Sequence, residues 1–110
     1  MSVFGFHDEA QAQDLGGGVT RRILNYAGGL MMVEVRMRKG ARGDTHTHPH
    51  EQMTYVASGS FEFTVGAETH TVKAGDTVYM PSNIPHGTVS LEDGSVLIDV
   101  FTPIREDFLK

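Results

Sequence analysis

Short runs of alternating apolar and polar residues, separated by glycine and proline, make up the sequence from residue 19 onward. In residues 30–37 and 61–65 every second side chain is apolar, which is typical of a strand with one buried face. Turn-forming residues such as Gly28-Gly29 and Ser58-Gly59-Ser60 separate these runs. The pattern predicts roughly eight or more short strands and therefore an all-β domain.

Length, composition and charge exclude several classes of protein. A chain of 110 residues suits one domain that buries a core without disulfides, and the absence of cysteine rules out thiolate chemistry. The net charge of -5 argues against nucleic acid as the main partner, and an anionic substrate would need a local basic group. No run approaches the roughly 18 apolar residues of a membrane span, and residues 1–13 lack the pattern of a secretory signal. We therefore expect a cytoplasmic protein with no membrane partner.

Weaker signals come from the loops and from the basic residues. Three glycines at 16–18 predict a flexible lead into the first strand, and residues 38–44 read as a loop. Basic residues lie close together at Arg21, Arg22, Arg36, Arg38 and Lys39. They are most simply explained as solvated faces, although one of these arginines could reach a pocket.

Residues 45–52 contain three of the six histidines, together with a carboxylate and a carboxamide. In an extended strand, side chains two residues apart point to the same face, so His46 and His48 would aim at one volume. Such a pair alone could equally be a solvated turn. His50 and Glu51 follow Pro49 at a bend, where we expect both to face solvent, although either could serve as a substitute ligand.

Two spaced groups of residues extend the histidine pattern. The first has the spacing Gly-x5-His-x-His-x3-Gln-x6-Gly and consists of Gly40, His46, His48, Gln52 and Gly59. The second has the spacing Gly-x5-Pro-x4-His and consists of Gly75, Pro81 and His86. Together they resemble the two signature motifs of the cupin superfamily. Gln52 departs from that pattern, which more often has glutamate, while Asn83 and Ser90 stand where glycine and asparagine are often found.

The resemblance implies a fold and a metal site. The fold would be a single-domain cupin over residues 1–110, a double-stranded β-helix or jelly-roll barrel, with an arm at 1–18, the barrel at 19–103 and a tail at 104–110. One divalent ion would be bound by His46, His48, Gln52 and His86, and Zn, Ni, Fe, Mn and Co all remain open. The neutral Gln52 suits a Lewis-acid role better than dioxygen activation. Small cupins of this kind resemble homodimers.

The last apolar run contains an unexpected carboxylate. Leu97, Asp99 and Phe101 share a face, so Asp99 lies between apolar neighbours. Burial would raise the pKa of this carboxyl and a nearby cation would lower it, which could leave it able to exchange protons near neutral pH. The alternative is a hydrogen-bonded structural aspartate on the outer face. Arg105 could bind a carboxylate through both arms of its guanidinium, or it could pair with Glu106, Asp107 or a neighbouring subunit.

The ending of the chain narrows the resemblance. The four metal-ligand candidates, Asp99 and Phe101, and the run from Phe101 to Leu109 are similar to the KdgF-type pectin-degradation cupins. That resemblance implies an isomerase-type enzyme that converts 4,5-unsaturated monouronates from pectin or alginate into linear keto forms. The metal would polarise a sugar oxygen, Asp99 would move a proton, Phe101 would form an apolar wall, and Arg105 would hold the carboxylate. The alternatives are a non-haem iron oxygenase of the cupin type and a non-catalytic sugar-binding cupin.

Overall fold

The computed structural model describes residues 3–110, so residues 1 and 2 of the predicted arm lie outside the described part. Within that part the chain forms ten strands. They are β1 (Gln13–Gly16), β2 (Val19–Ala27), β3 (Leu30–Met37), β4 (Arg42–His46), β5 (Glu51–Ser58), β6 (Ser60–Val65), β7 (Glu68–Lys73), β8 (Thr77–Met80), β9 (His86–Ser90) and β10 (Ser95–Thr102). Short 3-10 helices lie near the two ends, at His7–Glu9 and Glu106–Leu109.

The strands form two antiparallel sheets. The larger sheet has six strands in the order β1-β2-β3-β10-β5-β8, and the smaller has four in the order β4-β9-β6-β7. Neighbours in these sheets are mostly distant in the sequence, since β10 lies between β3 and β5. The two-sheet, all-β architecture confirms the predicted fold class.

The inward-facing side chains of both sheets form the core. The main cluster consists of Met37, Ala41, Val56, Phe61, Phe63, Met80 and Leu97. A second cluster of Met31, Val33 and Phe101 packs against Phe108 of the last 3-10 helix. On β5 the burial alternates residue by residue, which confirms the period-two interpretation. The inward row of β5 is polar at Gln52 and Thr54, so one end of the core is lined by polar groups.

Two segments expected to be irregular are strands instead. Residues 13–16 pair with β2 as strand β1, so this part of the predicted arm belongs to the larger sheet. The predicted loop at 38–44 ends early, because β4 begins at Arg42 and pairs with β9. Both strands are short and mostly polar, so neither has a hydrophobic period in the sequence. β1 is held by backbone pairing with the next strand, β2, and β4 by pairing with the distant β9. No helix within residues 3–110 is long and apolar enough to span a bilayer.

Candidate metal centre and adjoining pocket

Three histidines converge at one end of the space between the sheets. His46 ends β4 and His86 begins β9, and the two residues are direct partners across these strands. His48 follows in the turn toward β5. The ring centres of His46 and His86 lie 4.5 Å apart, and those of His48 and His86 lie 4.7 Å apart. One potential ligand atom from each of these histidines lies within 4.8 Å of the others, so the group could hold one metal ion.

Each of these imidazoles is oriented by a backbone carbonyl two residues away. The Nδ1 atoms of His46, His48 and His86 lie 2.7, 3.0 and 3.0 Å from the carbonyl oxygens of Asp44, His50 and Ile84. Because a carbonyl can only accept, each Nδ1 carries the hydrogen and the Nε2 atom is left to act as ligand. The Nε2 atom of His86 is buried and has no hydrogen-bond partner within the described residues. These features fit a divalent cation.

Burial also keeps two of these imidazoles neutral. Desolvation lowers the pKa of His86 and of His48, and the nearby positive groups add to this effect. Hydrogen bonds oppose the shift without reversing it. A neutral imidazole has a free lone pair for a metal, so both groups are in the form that coordination requires.

Gln52 presents its carbonyl oxygen to the histidines. Its Oε1 lies 3.1 Å from His48 Nε2, while its Nε2 donates to Thr54 Oγ1 at 3.1 Å. Thr54 in turn donates to Asp99 Oδ1 at 2.6 Å. With hydrogen on His48 Nδ1, the Oε1 and Nε2 atoms facing each other are both acceptors, an arrangement that a cation would relieve. Three imidazole nitrogens and one amide oxygen therefore fit a divalent ion such as Zn, Ni, Fe, Mn or Co.

Asp99 lies on the inner face of β10, not on the outer face that the structural alternative required. Its side chain is only 7% exposed, and Thr54 is its hydrogen-bond donor. Burial raises the pKa of Asp99 to about 6, while the hydrogen bonds from Thr54 and Gln52 and the charge of Arg105 oppose that rise. A carboxyl in this range exchanges protons near neutral pH.

A cavity of about 270 Å³ connects the metal-ligand candidates with Asp99. Its wall includes His46, His86 and Gln52 at the histidine end. Apolar side chains of the core form much of the remaining wall, among them Val33, Val35, Met37 and Leu97. The cavity therefore combines a polar, potentially cationic end with an apolar body, as small-molecule sites commonly do.

Phe101 and Arg105 both line this cavity. The ring of Phe101 lies edge-on to His48, with centres 5.8 Å apart. The guanidinium of Arg105 lies 5.1 Å from the centre of the Phe101 ring. Its Nε and Nη2 atoms donate to the two carboxylate oxygens of Asp107 at 3.1 and 2.9 Å. Arg105 thus reaches the cavity and also makes one of the pairings that the sequence left open.

His50 and Glu51 lie outside the histidine group. His50 is half-buried and contributes its carbonyl oxygen to orient His48, although its ring was expected to face solvent. Glu51 is exposed, as expected, and accepts a hydrogen bond from the Tyr79 hydroxyl.

Three further residues lie at this end of the molecule. Thr54 and Phe108 were not assigned to the site from the sequence, and Arg21 was named only as one of several arginines that could reach a pocket. Thr54 links Gln52 to Asp99 by hydrogen bonds. The sequence signal for Thr54 was its position two residues from both Gln52 and Val56, which places all three side chains on one face of β5. Arg21 lines the cavity, and it shares the inward row of β2 with Val19 and Ile23. Phe108 packs against Phe101 with ring centres 5.7 Å apart, and no local pattern indicated this contact.

The fold and the histidine cluster define the class of protein. The family model for the cupin domain matches residues 33–101, so the chain belongs to the cupin family. Within the cupins it belongs with the KdgF-type proteins. Pectin degradation protein KdgF of Dickeya dadantii (strain 3937) is 48% identical over 110 residues, covering 99% of this chain and 100% of that protein.

Solved structures agree with this assignment. KdgF from Halomonas sp. is 38% identical with a TM-score of 0.91, covering 96% of this chain and 98% of that one. An RmlC-like cupin from Shewanella frigidimarina NCIMB 400 is also 38% identical, with a TM-score of 0.92, covering 98% of this chain and 96% of that one.

Proposed function

We propose that this protein is an enzyme that converts 4,5-unsaturated monouronates, released from pectin or alginate, into their linear keto forms. The observation that carries the proposal is the buried Asp99 carboxyl, which lines one cavity with His46 and His86 of the three-histidine cluster. The full-length similarity to a pectin degradation protein supports the pathway. The reaction is an isomerisation, because ring opening and ketonisation move protons without adding or removing atoms.

His46, His48, Gln52 and His86 are the proposed ligands of one divalent ion. When bound, that ion supplies Lewis acidity toward an oxygen of the sugar, and the neutral Gln52 leaves its charge undiminished. The ligands themselves are held by the carbonyl groups behind the imidazoles and by Thr54 behind the amide. Such outer contacts fix ligand orientation before binding.

Asp99 is the proposed proton carrier. Ring opening removes a proton from the anomeric hydroxyl, breaks the bond between the anomeric carbon and the ring oxygen, and adds a proton to carbon 4. A carboxyl whose pKa is raised by burial to about 6 can accept one proton and return another at neutral pH. Phe101 offers an apolar wall for the sugar ring. Arg105 adds positive charge to the cavity, although Asp107 already occupies its fork.

The test is turnover of an unsaturated monouronate. Protein loaded with each candidate metal is incubated with the substrate, and loss of the double-bond absorbance is followed. We expect the wild type to accelerate this loss and Asp99→Asn to abolish the acceleration at unchanged metal content. Loss no faster than with the free metal alone would contradict the proposal.

Two measurements separate the alternatives. A non-haem iron oxygenase would consume oxygen during turnover, which an oxygen electrode detects. A sugar-binding cupin without activity would bind the uronate and leave its double bond intact. The neutral Gln52 and the buried Asp99 both favour the isomerase over these alternatives.

A homodimer in the cytoplasm is the proposed state of the protein. Exposed apolar side chains on β3, β5 and β8 form one continuous stripe, and this stripe supports the dimer. Met53 is a cross-strand partner of Tyr79, and both Met53 and Met32 are partners of Val100. Burying this outer stripe would remove a patch that soluble monomers rarely expose. We expect sedimentation velocity to give a dimer that Met53→Glu dissociates, whereas a monomeric wild type would contradict it. Fractionation of the source cells tests the location.

A further inference from the structure

Arg21 is a second guanidinium in the cavity that contains Asp99 and Arg105. It lies in β2, a strand far along the chain from both of those residues, and it is half-buried. Its Nε donates to Gln13 Oε1 at 2.9 Å, and its guanidinium carbon lies 3.8 Å from the centre of the Phe108 ring. These two contacts hold the planar group in one orientation.

The terminal nitrogens of Arg21 differ from those of Arg105 in what they bind. Within residues 3–110 no hydrogen bond is made by either terminal nitrogen of Arg21. The fork of Arg105 is instead filled by the two oxygens of Asp107. A carboxylate entering the cavity would therefore have to displace Asp107 from Arg105, whereas Arg21 offers free donors.

The environment of Arg21 favours an incoming anion. Burial and the positive charge of Arg105 both lower the pKa of Arg21, and the negative charge of Asp107 offsets this lowering only in part. A substrate carboxylate would add a negative charge directly at the guanidinium, and the two parallel N–H groups of a guanidinium match the planar geometry of a carboxylate.

We propose that Arg21 is a specificity-determining residue that binds the substrate carboxylate through its terminal nitrogens. The inference rests on the proposed function for the identity of the substrate as a uronate. Phe108 and Gln13 position the guanidinium. With the carboxylate at Arg21, the sugar lies in the cavity that Asp99 also lines.

The first test compares an acid with its uncharged analogue. Metal-loaded wild type and Arg21→Gln are assayed with the unsaturated monouronate and with its methyl ester. Losing one charge-assisted interaction is expected to raise KM for the acid by roughly 10- to 150-fold while KM for the ester changes little. Arg22→Gln is the matched control, because Arg22 points to the opposite face and donates to the Ala10 carbonyl. Its KM values should equal those of the wild type.

A second measurement needs no turnover. Calorimetric titration of the metal-loaded protein with galacturonate and with galactose reports the preference for a carboxylate directly. We expect the wild type to prefer galacturonate and Arg21→Gln to lose the preference. If the glutamine variant fails to fold, Arg21→Lys, which retains charge and length but not the fork, is expected to show a reduced preference.

The outcomes separate this inference from the proposed function. If the wild type does not convert the unsaturated uronate but Arg21→Gln abolishes the preference for galacturonate, the proposed function fails and the role of Arg21 stands. If the wild type is active and Arg21→Gln retains both the KM and the acid preference, the inference is overturned. The inference is also overturned if Arg105→Gln removes the preference for galacturonate and Arg21→Gln does not.

Discussion

Thr54 sets the direction of the hydrogen bonds between the histidine cluster and Asp99. Its hydroxyl donates to the carboxylate, so its oxygen must accept from the amide nitrogen of Gln52. The carbonyl oxygen of Gln52 is thereby turned toward the imidazoles. One hydroxyl thus orients a proposed ligand and partners the proposed proton carrier.

Removing that hydroxyl should affect metal affinity and stability together. We expect Thr54→Val to weaken divalent-metal binding by roughly 10- to 100-fold, because the amide of Gln52 loses its orienting partner. Removing the Thr54 donor from the buried Asp99 should cost about 1–3 kcal/mol of the free energy of unfolding. Calorimetric metal titration and urea unfolding measure the two effects. Thr71→Val, an exposed position on β7, is the control and should change neither.

Asp99 should make stability depend on pH in a direction opposite to most aspartates. Burial raises its pKa from the ordinary value of 3.8 to about 6. Between these values the native state retains a proton that the unfolded state has released, so the free energy of unfolding falls as pH rises through this window. The full effect is about 3 kcal/mol.

The comparison with Asp99→Asn isolates this contribution. The lowered pKa values of His48 and His86 make the free energy of unfolding rise with pH, because the unfolded state binds protons more readily at these histidines. This contribution is present in both proteins and cancels in the comparison. We expect the stability of the metal-free wild type relative to Asp99→Asn to decrease from about pH 4 to about pH 7. Urea unfolding in the presence of a chelator measures it, and a constant difference would show that the carboxyl is not desolvated.

At the scale of elements, the register of β5 and β10 builds the polar end of the cavity. Asp99 is the direct partner of Thr54, and Phe101 is the direct partner of Gln52. Two residues further along each strand, Leu97 is the partner of Val56 in the apolar core. The same pair of strands therefore supplies core at one end and site at the other.

The hairpin between β5 and β6 fixes where β10 begins. Gly59 has a positive φ of 75°, and a Cβ at this position would overlap the Ser95 side chain and lie 2.9 Å from the Ser95 Cα. Ser95 is fully buried and donates to the carbonyl of Glu92. The close contact between Gly59 and Ser95 thus holds the start of β10 beside the end of β5.

Replacing Gly59 should therefore lower the free energy of unfolding by more than the strain of a left-handed backbone conformation alone would. We expect Gly75→Ala to lose about 1–2 kcal/mol, because that glycine also has a positive φ but has open space around it. Gly59→Ala should lose about 1–3 kcal/mol more through overpacking against Ser95. Chemical denaturation of both variants gives the difference. Equal losses would mean that the backbone strain alone matters.

At the scale of the whole molecule, the proposed ligands come from both sheets. His46 and His86 belong to the smaller sheet, whereas Gln52 belongs to the larger. A bound ion would link the two sheets at the polar end of the molecule. The apolar core links them elsewhere. The core itself should not depend on the ion, because both clusters are built from apolar side chains, although Phe101 of the second cluster contacts the His48 ring.

Metal should therefore stabilise an already folded protein. At a metal concentration of 100 times Kd, the free energy of unfolding should rise by about 2.7 kcal/mol, with a higher Tm in differential scanning calorimetry. His86→Ala should remove this dependence, while His70→Ala should retain it, because His70 is exposed and its one hydrogen-bond partner within residues 3–110 is Glu68. An unfolded protein in chelator, or a metal-dependent Tm in His86→Ala, would contradict this arrangement.

The local sequence determined most of the strands, their faces and the position of the histidine motif, but not β1 or β4. Residues 30–37 and the inward Phe61 and Phe63 follow from a period of two, because successive side chains of any strand alternate. The resemblance of the two motifs to the cupin signatures likewise predicted that His46, His48 and His86 are ligands of one ion. Only tertiary structure decided that Thr54 meets Asp99 and that Arg21 meets Phe108. Those contacts depend on the register between strands distant in the chain and on the direction of each hydrogen bond, and neither is encoded in a local pattern.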